Sequence, residues 1–181
     1  IWVLHISTDF VFDGKDDRPY LETDTPNPIN SYGKTKLAGE QLLVQSRCAG
    51  CIMRVEWTYG SAGNNFVTKL IKAAKNNKTL KVVDDQVGSP TATSEAAAAS
   101  CQRKQKIPQG RFHFAADGYV SRFEMAKFIF EKLNLSVDLK SCKTVDFPNP
   151  AARPLNSRFN CDKIKQFLDE PIKQWQQPLE Q

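Results

Sequence analysis

Two continuous apolar runs predict strands that are buried on both faces of a parallel sheet. The first covers residues 1–6 (IWVLHI) and ends at the polar triplet Ser7-Thr8-Asp9. The second covers residues 52–55 (IMRV) and ends at Glu56-Trp57. Runs without polar alternation suit strands that helices cover on both sides. Because ligands gather beyond the carboxyl ends of such strands, the polar residues there are candidates for a binding site.

Apolar residues at helical spacing predict helices between these strands. One helix is predicted over about 31–47, and another opens after Gly63-Asn64-Asn65. A helix from Ser121 to Leu133 has Ser121 as its N-cap and Glu124 three residues later, which is the capping-box pattern. The remaining predicted elements are strands at 80–83 and 111–114, an alanine-rich buried packing helix at 93–103, and a helix at about 161–168.

Length and composition fit a globular protein of one domain, or one domain and part of another. The chain has 181 residues, of which 40% are hydrophobic. No apolar run approaches the ~18 residues that a membrane helix needs. The net charge is +5, and the 25 Lys and Arg residues are scattered. This balance suits an anionic ligand, and we expect neither a nucleic acid nor a membrane as a partner.

The cysteines give no reason to expect a metal site. Cys48 and Cys51 form a C-x-x-C pair, but no second pair or histidine cluster accompanies them. The other three of the five cysteines are widely spread along the chain. We therefore expect reduced thiols, a cytoplasmic location and no bound metal.

A tyrosine and a lysine stand four residues apart at the start of the helix predicted over about 31–47. Tyr32 and Lys36 therefore share one helix face. A phenol loses its proton near pH ~10, and a nearby cation favours the anion. Such a pair can serve as a general acid or base. The spacing alone is weak, and it gains weight from the segments before and after it.

Six segments in order resemble one enzyme family, and together they cover nearly the whole chain. Residues 7–14 (STDFVFDG), 19–24 (PYLETD) and 32–40 (YGKTKLAGE) resemble the extended short-chain dehydrogenase/reductases. Three later segments are similar to one family of these enzymes, the dTDP-4-dehydrorhamnose reductases, namely 63–66 (GNNF), 85–91 (DQVGSPT) and 152–157 (ARPLNS). That family reduces the 4-keto group of dTDP-4-dehydro-L-rhamnose to dTDP-L-rhamnose with NADPH or NADH.

The resemblance implies an α/β, Rossmann-type parallel sheet whose N-terminal β-α units are missing, with a smaller C-terminal substrate-binding lobe. Residues 1–60 would belong to the dinucleotide-binding domain, and 61–181 mostly to the substrate lobe, with interleaved returns to the sheet. No G-x-x-G-x-x-G turn, which cradles the dinucleotide pyrophosphate, occurs in the chain. We therefore expect the C-terminal portion of a longer protein, which is inactive alone and shows no saturable NADPH binding. A homodimer is among the arrangements that the resemblance allows.

The resemblance also implies a role for each residue of the catalytic group. Tyr32 would give its proton to the C4 oxygen of the sugar as hydride arrives at C4. Lys36 would favour proton loss from Tyr32 and bind the nicotinamide ribose, and Ser7 is a further cofactor-binding candidate. Thr8 would donate a hydrogen bond to the same carbonyl oxygen, because charge that develops there needs fixed donors.

The substrate contacts implied by the resemblance begin with Trp57, whose indole face suits a sugar or thymine ring. Asp9 is a candidate for a sugar hydroxyl. Glu56 departs from the family pattern and places a carboxylate near the pocket. The deoxysugar and the diphosphate would be held by Asn64, Asn65, Gln86 and Arg153.

Two alternatives to a reductase remain open. One is a non-catalytic regulatory or binding protein of the same fold, like the β subunit of methionine adenosyltransferase. The presence of Thr8, Tyr32 and Lys36 argues against it. The other is a nucleotide-sugar epimerase or dehydratase. A dehydratase normally has an acid pair directly after the threonine, and here only Asp9 precedes Phe10.

Overall fold

The computed structural model describes residues 1–101, 108–147 and 151–180. These residues form a mixed α/β fold with a three-stranded parallel sheet and three further pairs of strands. The strands are β1 (Val3–Thr8), β2 (Gly50–Val55), β3 (Thr58–Tyr59), β4 (Thr79–Val83), β5 (Val87–Gly88), β6 (Thr91–Ala92), β7 (Gly110–Phe114), β8 (Val120–Ser121) and β9 (Asp138–Cys142). The helices are α1 (Ser31–Gln45), α2 (Phe66–Asn76), α3 (Thr93–Cys101), α4 (Arg122–Lys132) and α5 (Asp162–Lys165).

The parallel sheet has the strand order β1-β2-β7, with β2 in the centre. Thr8 pairs with Val55, and Val55 pairs in turn with Phe114. The three strands therefore end at the same edge of the sheet. The two strands predicted from apolar runs are confirmed in position, and β2 is almost wholly buried, as predicted.

Within the described residues, β1 is less buried than β2. Its first residues are partly accessible, and Ile6 is 41% exposed. The cause is its place in the sheet, since β1 is an outer strand and, within the described ranges, pairs only with β2. The apolar run thus identified the strand, and its burial on both faces stays a prediction.

Side-chain caps fix where the main helices begin. At α1, the side chain of Asn30 accepts a hydrogen bond from the Gly33 backbone at 2.8 Å. At α4, Ser121 and Glu124 form the predicted capping box. Each cap satisfies backbone N–H groups that have no partner in the first helical turn. The helices predicted around 31–47 and 121–133 are confirmed, with ends that shift by one or two residues.

Two helices differ from their predictions. In α3 only Ala99 is buried, so the predicted buried packing helix is wrong for the described residues, and residues 102 and 103 lie outside them. Alanines on every side of a helix do not show which side packs, and α3 uses only the face of Ala96 and Ala99. The last predicted helix shortens to α5. None of the helices in the described ranges combines the length and apolarity needed to cross a membrane.

The buried apolar side chains form two clusters. The first packs around the parallel sheet and includes Phe12, Phe112 and Ile164. The second lies between α2, α4 and the β4–β9 pair and includes Leu70 and Met125. The first cluster contains residues from both ends of the chain, so the later part of the chain returns to the sheet. The division of domains at residue 60 stays a prediction.

Candidate active site

The start of α1 lies against the loop that follows β1. A Cβ atom added to Gly33 would lie 2.0 Å from the carbonyl oxygen of Phe10. Only glycine permits this approach, because every other residue carries that atom. The glycine between Tyr32 and Lys34 thus brings the first turn of α1 to the edge of the sheet where Thr8 and Asp9 lie.

Tyr32 presents its phenol to open space at this edge. The residue is 55% exposed, and its ring meets the ring of Phe10 edge-on at 5.6 Å between centroids. Within the described ranges, no residue forms a hydrogen bond to its hydroxyl group. The predicted proton donor is therefore held by its ring and accessible at its oxygen.

Lys36 is anchored to the end of β1. Its Nζ donates a hydrogen bond to the carbonyl oxygen of Ile6 at 2.5 Å. Ile6 lies two residues before Thr8, so the ammonium group is held at the edge where the predicted catalytic residues gather. A lysine ammonium has three N–H donors, which leaves two for ligands or solvent.

Thr8 is buried and has two local hydrogen bonds. Its hydroxyl donates to Oδ1 of Asp9 at 2.9 Å and accepts from the Phe10 backbone at 3.3 Å. A hydroxyl has one hydrogen, so Thr8 can donate to a substrate only when that hydrogen turns away from Asp9. The structure brings Thr8, Tyr32 and Lys36 to one edge of the sheet.

A buried polar network lies beneath this edge. The Ser7 hydroxyl donates to Oε1 of Glu40 at 2.5 Å, and Glu40 also forms an ion pair with Arg54. Arg54 in turn lies 3.4 Å from Nε2 of His113. Ser7, a predicted cofactor-binding residue, is therefore 2% exposed and turned towards Glu40. The sequence offered one signal for this network, an arginine inside the apolar run of β2.

Two carboxyl groups are fully buried behind the site. Asp9 accepts hydrogen bonds from the hydroxyls of Thr8 and Ser157. Glu56 accepts from the backbone N–H groups of Ser89 and Phe159, at 3.0 and 3.3 Å. Burial raises the pKa of both carboxyls, and the Asp9 charge raises that of Glu56 further. Glu56 thus holds neighbouring segments together and does not extend into the pocket as a free carboxylate.

Trp57 lies beside a guanidinium group. The Arg122 carbon Cζ is 3.5 Å from the centroid of the Trp57 ring and 4.6 Å from that of Phe66. Trp57 itself has a left-handed backbone conformation, with φ of 46°. Arg122 covers one face of the indole, so the predicted sugar contact falls to the rest of the ring. Sequence reasoning did not single out Arg122.

Phe66 and Arg122 line a cavity of about 710 Å³. Gln86 and Arg153, two predicted substrate residues, line it together with Arg122. The Gln86 side chain also donates to the Thr144 hydroxyl at 3.1 Å. The structure therefore places these two predictions at one ligand-sized cavity.

The two asparagines lie outside the lining of this cavity. Asn64 is exposed, and Asn65 caps α2 in a reciprocal capping box with Thr68. The Asn65 amide also donates to the Gly60 carbonyl at 2.9 Å. Asn65 thus has a clear local role at the helix start. Among the described residues, no group of histidine, cysteine and acidic side chains is arranged to hold a metal ion.

Relatives of known sequence match almost the whole chain. The dTDP-4-dehydrorhamnose reductase of Shigella flexneri is 37% identical over 186 residues, which cover 97% of this chain and 62% of the relative. The enzyme of the same name from Mycolicibacterium smegmatis is 35% identical, with 98% of this chain and 56% of the relative covered. The chain thus spans about three fifths of the length of these relatives.

Solved structures confirm the fold class. A dTDP-4-dehydrorhamnose reductase from Bacillus anthracis, in complex with NADP, superposes with a TM-score of 0.92 at 36% identity, covering 98% of this chain and 63% of that one. A UDP-glucuronic acid 4-epimerase from Bacillus cereus gives 0.81 at 21% identity, covering 99% and 59%, and shows the fold alone. The family model of the RmlD substrate binding domain matches residues 1–181. The resemblance predicted from the motifs is thereby confirmed, and the chain belongs to the RmlD substrate-binding domain family.

Proposed function

We propose that this chain carries the catalytic group and the sugar-nucleotide site of an NAD(P)H-dependent dTDP-4-dehydrorhamnose reductase. The observation that carries the proposal is the anchoring of Lys36 on the Ile6 carbonyl, one helical turn from the accessible Tyr32 phenol. Thr8 lies at the end of the same strand. The relatives at 37% and 36% identity are dTDP-4-dehydrorhamnose reductases, the second in complex with NADP, which supports the substrate and the cofactor class.

In the proposed reaction, the 4-keto carbon accepts a hydride and its oxygen accepts a proton. Tyr32 gives the phenol proton to that oxygen, and Lys36 stabilises the phenolate that remains. The Thr8 hydroxyl turns from Asp9 to the same oxygen and stabilises the charge that develops there. Each residue thus acts on one atom of the substrate, the C4 oxygen.

The residues of this chain fit one end of the nicotinamide cofactor. Lys36 retains donors for the nicotinamide ribose, and the Tyr32 hydroxyl is open to the same space. The bound cofactor supplies the hydride. Ser7 supports the site through Glu40, and its contact with the cofactor remains a proposal.

The sugar nucleotide is assigned to the cavity and the edge beside it. Gln86 and Arg153 line the cavity, and Trp57 contacts Arg122 of the same lining. Asp9 follows Thr8 and accepts its hydroxyl hydrogen. Asn64 and Asn65 remain proposed substrate residues at the start of α2, where Asn65 also caps the helix. In this proposal residues 1–60 are the C-terminal part of the dinucleotide-binding domain, and residues 61–181 form mostly the substrate lobe.

The test is turnover of dTDP-4-dehydro-L-rhamnose by the full-length protein, followed by the loss of NADPH absorbance. Tyr32→Phe should lower kcat about 100- to 10,000-fold, because it removes the general acid, and should change KM little. The control is Tyr119→Phe, since Tyr119 is also exposed but donates its hydroxyl to the Phe159 carbonyl. Absence of turnover in the unaltered protein would favour the regulatory alternative, and full activity of Tyr32→Phe would exclude the assigned proton donor.

A further inference from the structure

Arg122 is a buried cation in contact with two aromatic rings. It is the first residue of α4 and is 8% exposed. Its guanidinium lies over Trp57 at 3.5 Å and over Phe66 at 4.6 Å. Contact with two rings restricts the orientations of the guanidinium before any ligand arrives.

The guanidinium has no acceptor for its N–H groups among the described residues. Its backbone N–H donates to the Gln86 carbonyl, but no side-chain hydrogen bond or ion pair of Arg122 occurs within those ranges. Asp9 and Glu56 are near enough to influence its charge, yet their oxygens are occupied by other donors. Burial lowers the pKa of Arg122 to about 9. A buried charge without a hydrogen-bonded partner is costly, which indicates a site completed by an anion.

The surroundings of Arg122 show what kind of anion would fit. Arg122 and Arg153 both line the cavity of about 710 Å³, and the two positive charges lie close enough to repel each other. An anion with two charges would relieve this repulsion better than a single carboxylate. The cavity wall also contains Phe66, Leu70 and Leu80, which offer apolar surface to a nucleobase.

We propose that Arg122 is a further binding residue, which holds the diphosphate of a nucleoside-diphosphate ligand together with Arg153. The nucleoside then lies along the apolar wall of the cavity, and the sugar extends past Trp57 towards Tyr32 and Thr8. The inference rests on the proposed function for the identity of the ligand, and it adds a residue that the motif comparison did not assign. The guanidinium is a planar donor group that binds phosphate oxygens in pairs.

The experiment compares the binding of dTDP and of thymidine to the purified protein by calorimetry. Arg122→Met should weaken dTDP binding about 10- to 100-fold, the loss expected for a charge-assisted contact. Thymidine affinity should change less than about twofold, because thymidine lacks the diphosphate. Arg122→Lys keeps the charge without the planar fork and should give an intermediate loss.

The matched control is Arg111→Met, the same substitution at an exposed arginine outside the cavity lining. It should leave both affinities unchanged. Equal losses for dTDP and thymidine in Arg122→Met would assign Arg122 a structural role and overturn the inference, as would unchanged dTDP binding. Failure of the unaltered protein to prefer dTDP over thymidine would overturn it as well.

The same preparations separate this inference from the proposed function. If the protein turns over the keto sugar but Arg122→Met leaves dTDP affinity unchanged, the diphosphate site is rejected and the reductase function is kept. Binding of dTDP through Arg122 without NADPH oxidation would reject the reductase alone. Circular dichroism shows whether each variant is folded. If Arg122→Met does not fold, Arg122→Lys provides the test.

Discussion

Glu40 and Arg54 form an ion pair with two contacts, Nε to Oε1 at 2.8 Å and Nη2 to Oε2 at 2.6 Å. Both side chains are shielded from solvent, with exposures of 2% and 0%. Glu40 belongs to α1 and Arg54 to β2, so the pair joins the helix that carries Tyr32 and Lys36 to the centre of the sheet. Its geometry therefore helps to set the position of the proposed catalytic group.

Breaking this pair should destabilise the protein strongly. Glu40→Gln leaves the Arg54 charge buried without its partner, and we expect a loss of about 3–5 kcal/mol in the free energy of unfolding. The double variant Glu40→Leu/Arg54→Met removes both charges. It should lose less stability than the sum of the losses in Glu40→Leu and in Arg54→Met. Urea unfolding measures the free energy of unfolding of each single variant and of the double variant. If the double variant loses the full sum, Glu40 and Arg54 act independently.

Gly33 should be intolerant of a side chain. Gly33→Ala would place a Cβ atom 2.0 Å from the Phe10 carbonyl oxygen and 2.9 Å from Cβ of Pro28. The first turn of α1 would have to move away from the loop after β1, and we expect a loss of about 1–3 kcal/mol in the free energy of unfolding. Turnover should fall as well, because Tyr32 moves with that turn.

Gly39, in the same helix, provides the control for Gly33. A Cβ atom there would meet the ring of His5 at 3.0–3.1 Å, which is the far end of a movable side chain. Alanine is also the better helix former by about 1 kcal/mol, so Gly39→Ala should be close to neutral. Thermal unfolding of both variants gives the comparison. Equal destabilisation would show that helix packing in general, and not the approach to Phe10, limits these positions.

His113 should make the protein less stable as the pH falls. Its Nδ1 lies 3.0 Å from the Tyr20 carbonyl and its Nε2 3.4 Å from Nη1 of Arg54, an arrangement that suits a neutral ring donating through Nδ1. Burial, and then the Arg54 charge, lower the pKa of His113 to about 3. The unfolded chain, with an ordinary value near ~6.5, binds the proton first, so this contribution is complete above pH ~6.5 and is lost as the pH falls towards 3.

The measurement is the free energy of unfolding between pH 7 and 4.5 for the protein and for His113→Gln. Unaltered protein should lose about 2–3 kcal/mol more than the variant over that range. Replacement of the only other histidine, as His5→Gln, should leave most of the pH dependence in place. A pH profile that stays the same in His113→Gln would assign the effect instead to carboxyls whose pKa is lowered in the folded protein, such as Asp24, which accepts hydrogen bonds from Arg18.

Much of the fold could be predicted from local patterns. The apolar run of β2 and the capping box of α4 need no information from distant parts of the chain, and both were confirmed. The grouping of Thr8 with Tyr32 and Lys36 came from motif order, and the structure places them at one edge. β9 was missed because its sequence, DLKSC, gains strand character mainly from pairing with β4.

The features that escaped prediction are buried charges. Glu40 is buried because Arg54 meets it from another element, and no local pattern in α1 marks it for burial. Arg122 follows a capping serine, a place where exposed polar residues are common, yet two distant aromatic residues cover it. Burial of a charge depends on partners from elsewhere in the chain, and periodicity within one helix does not reveal them.

The contact between Arg122 and Trp57 also gives the protein an internal optical reporter. The emission of an indole responds to a charge held against its face, here at 3.5 Å, so an anion that binds this guanidinium should change the Trp57 signal. Only two other tryptophans, Trp2 and Trp175, contribute background. With both replaced by phenylalanine, occupancy of the cavity becomes visible without a label.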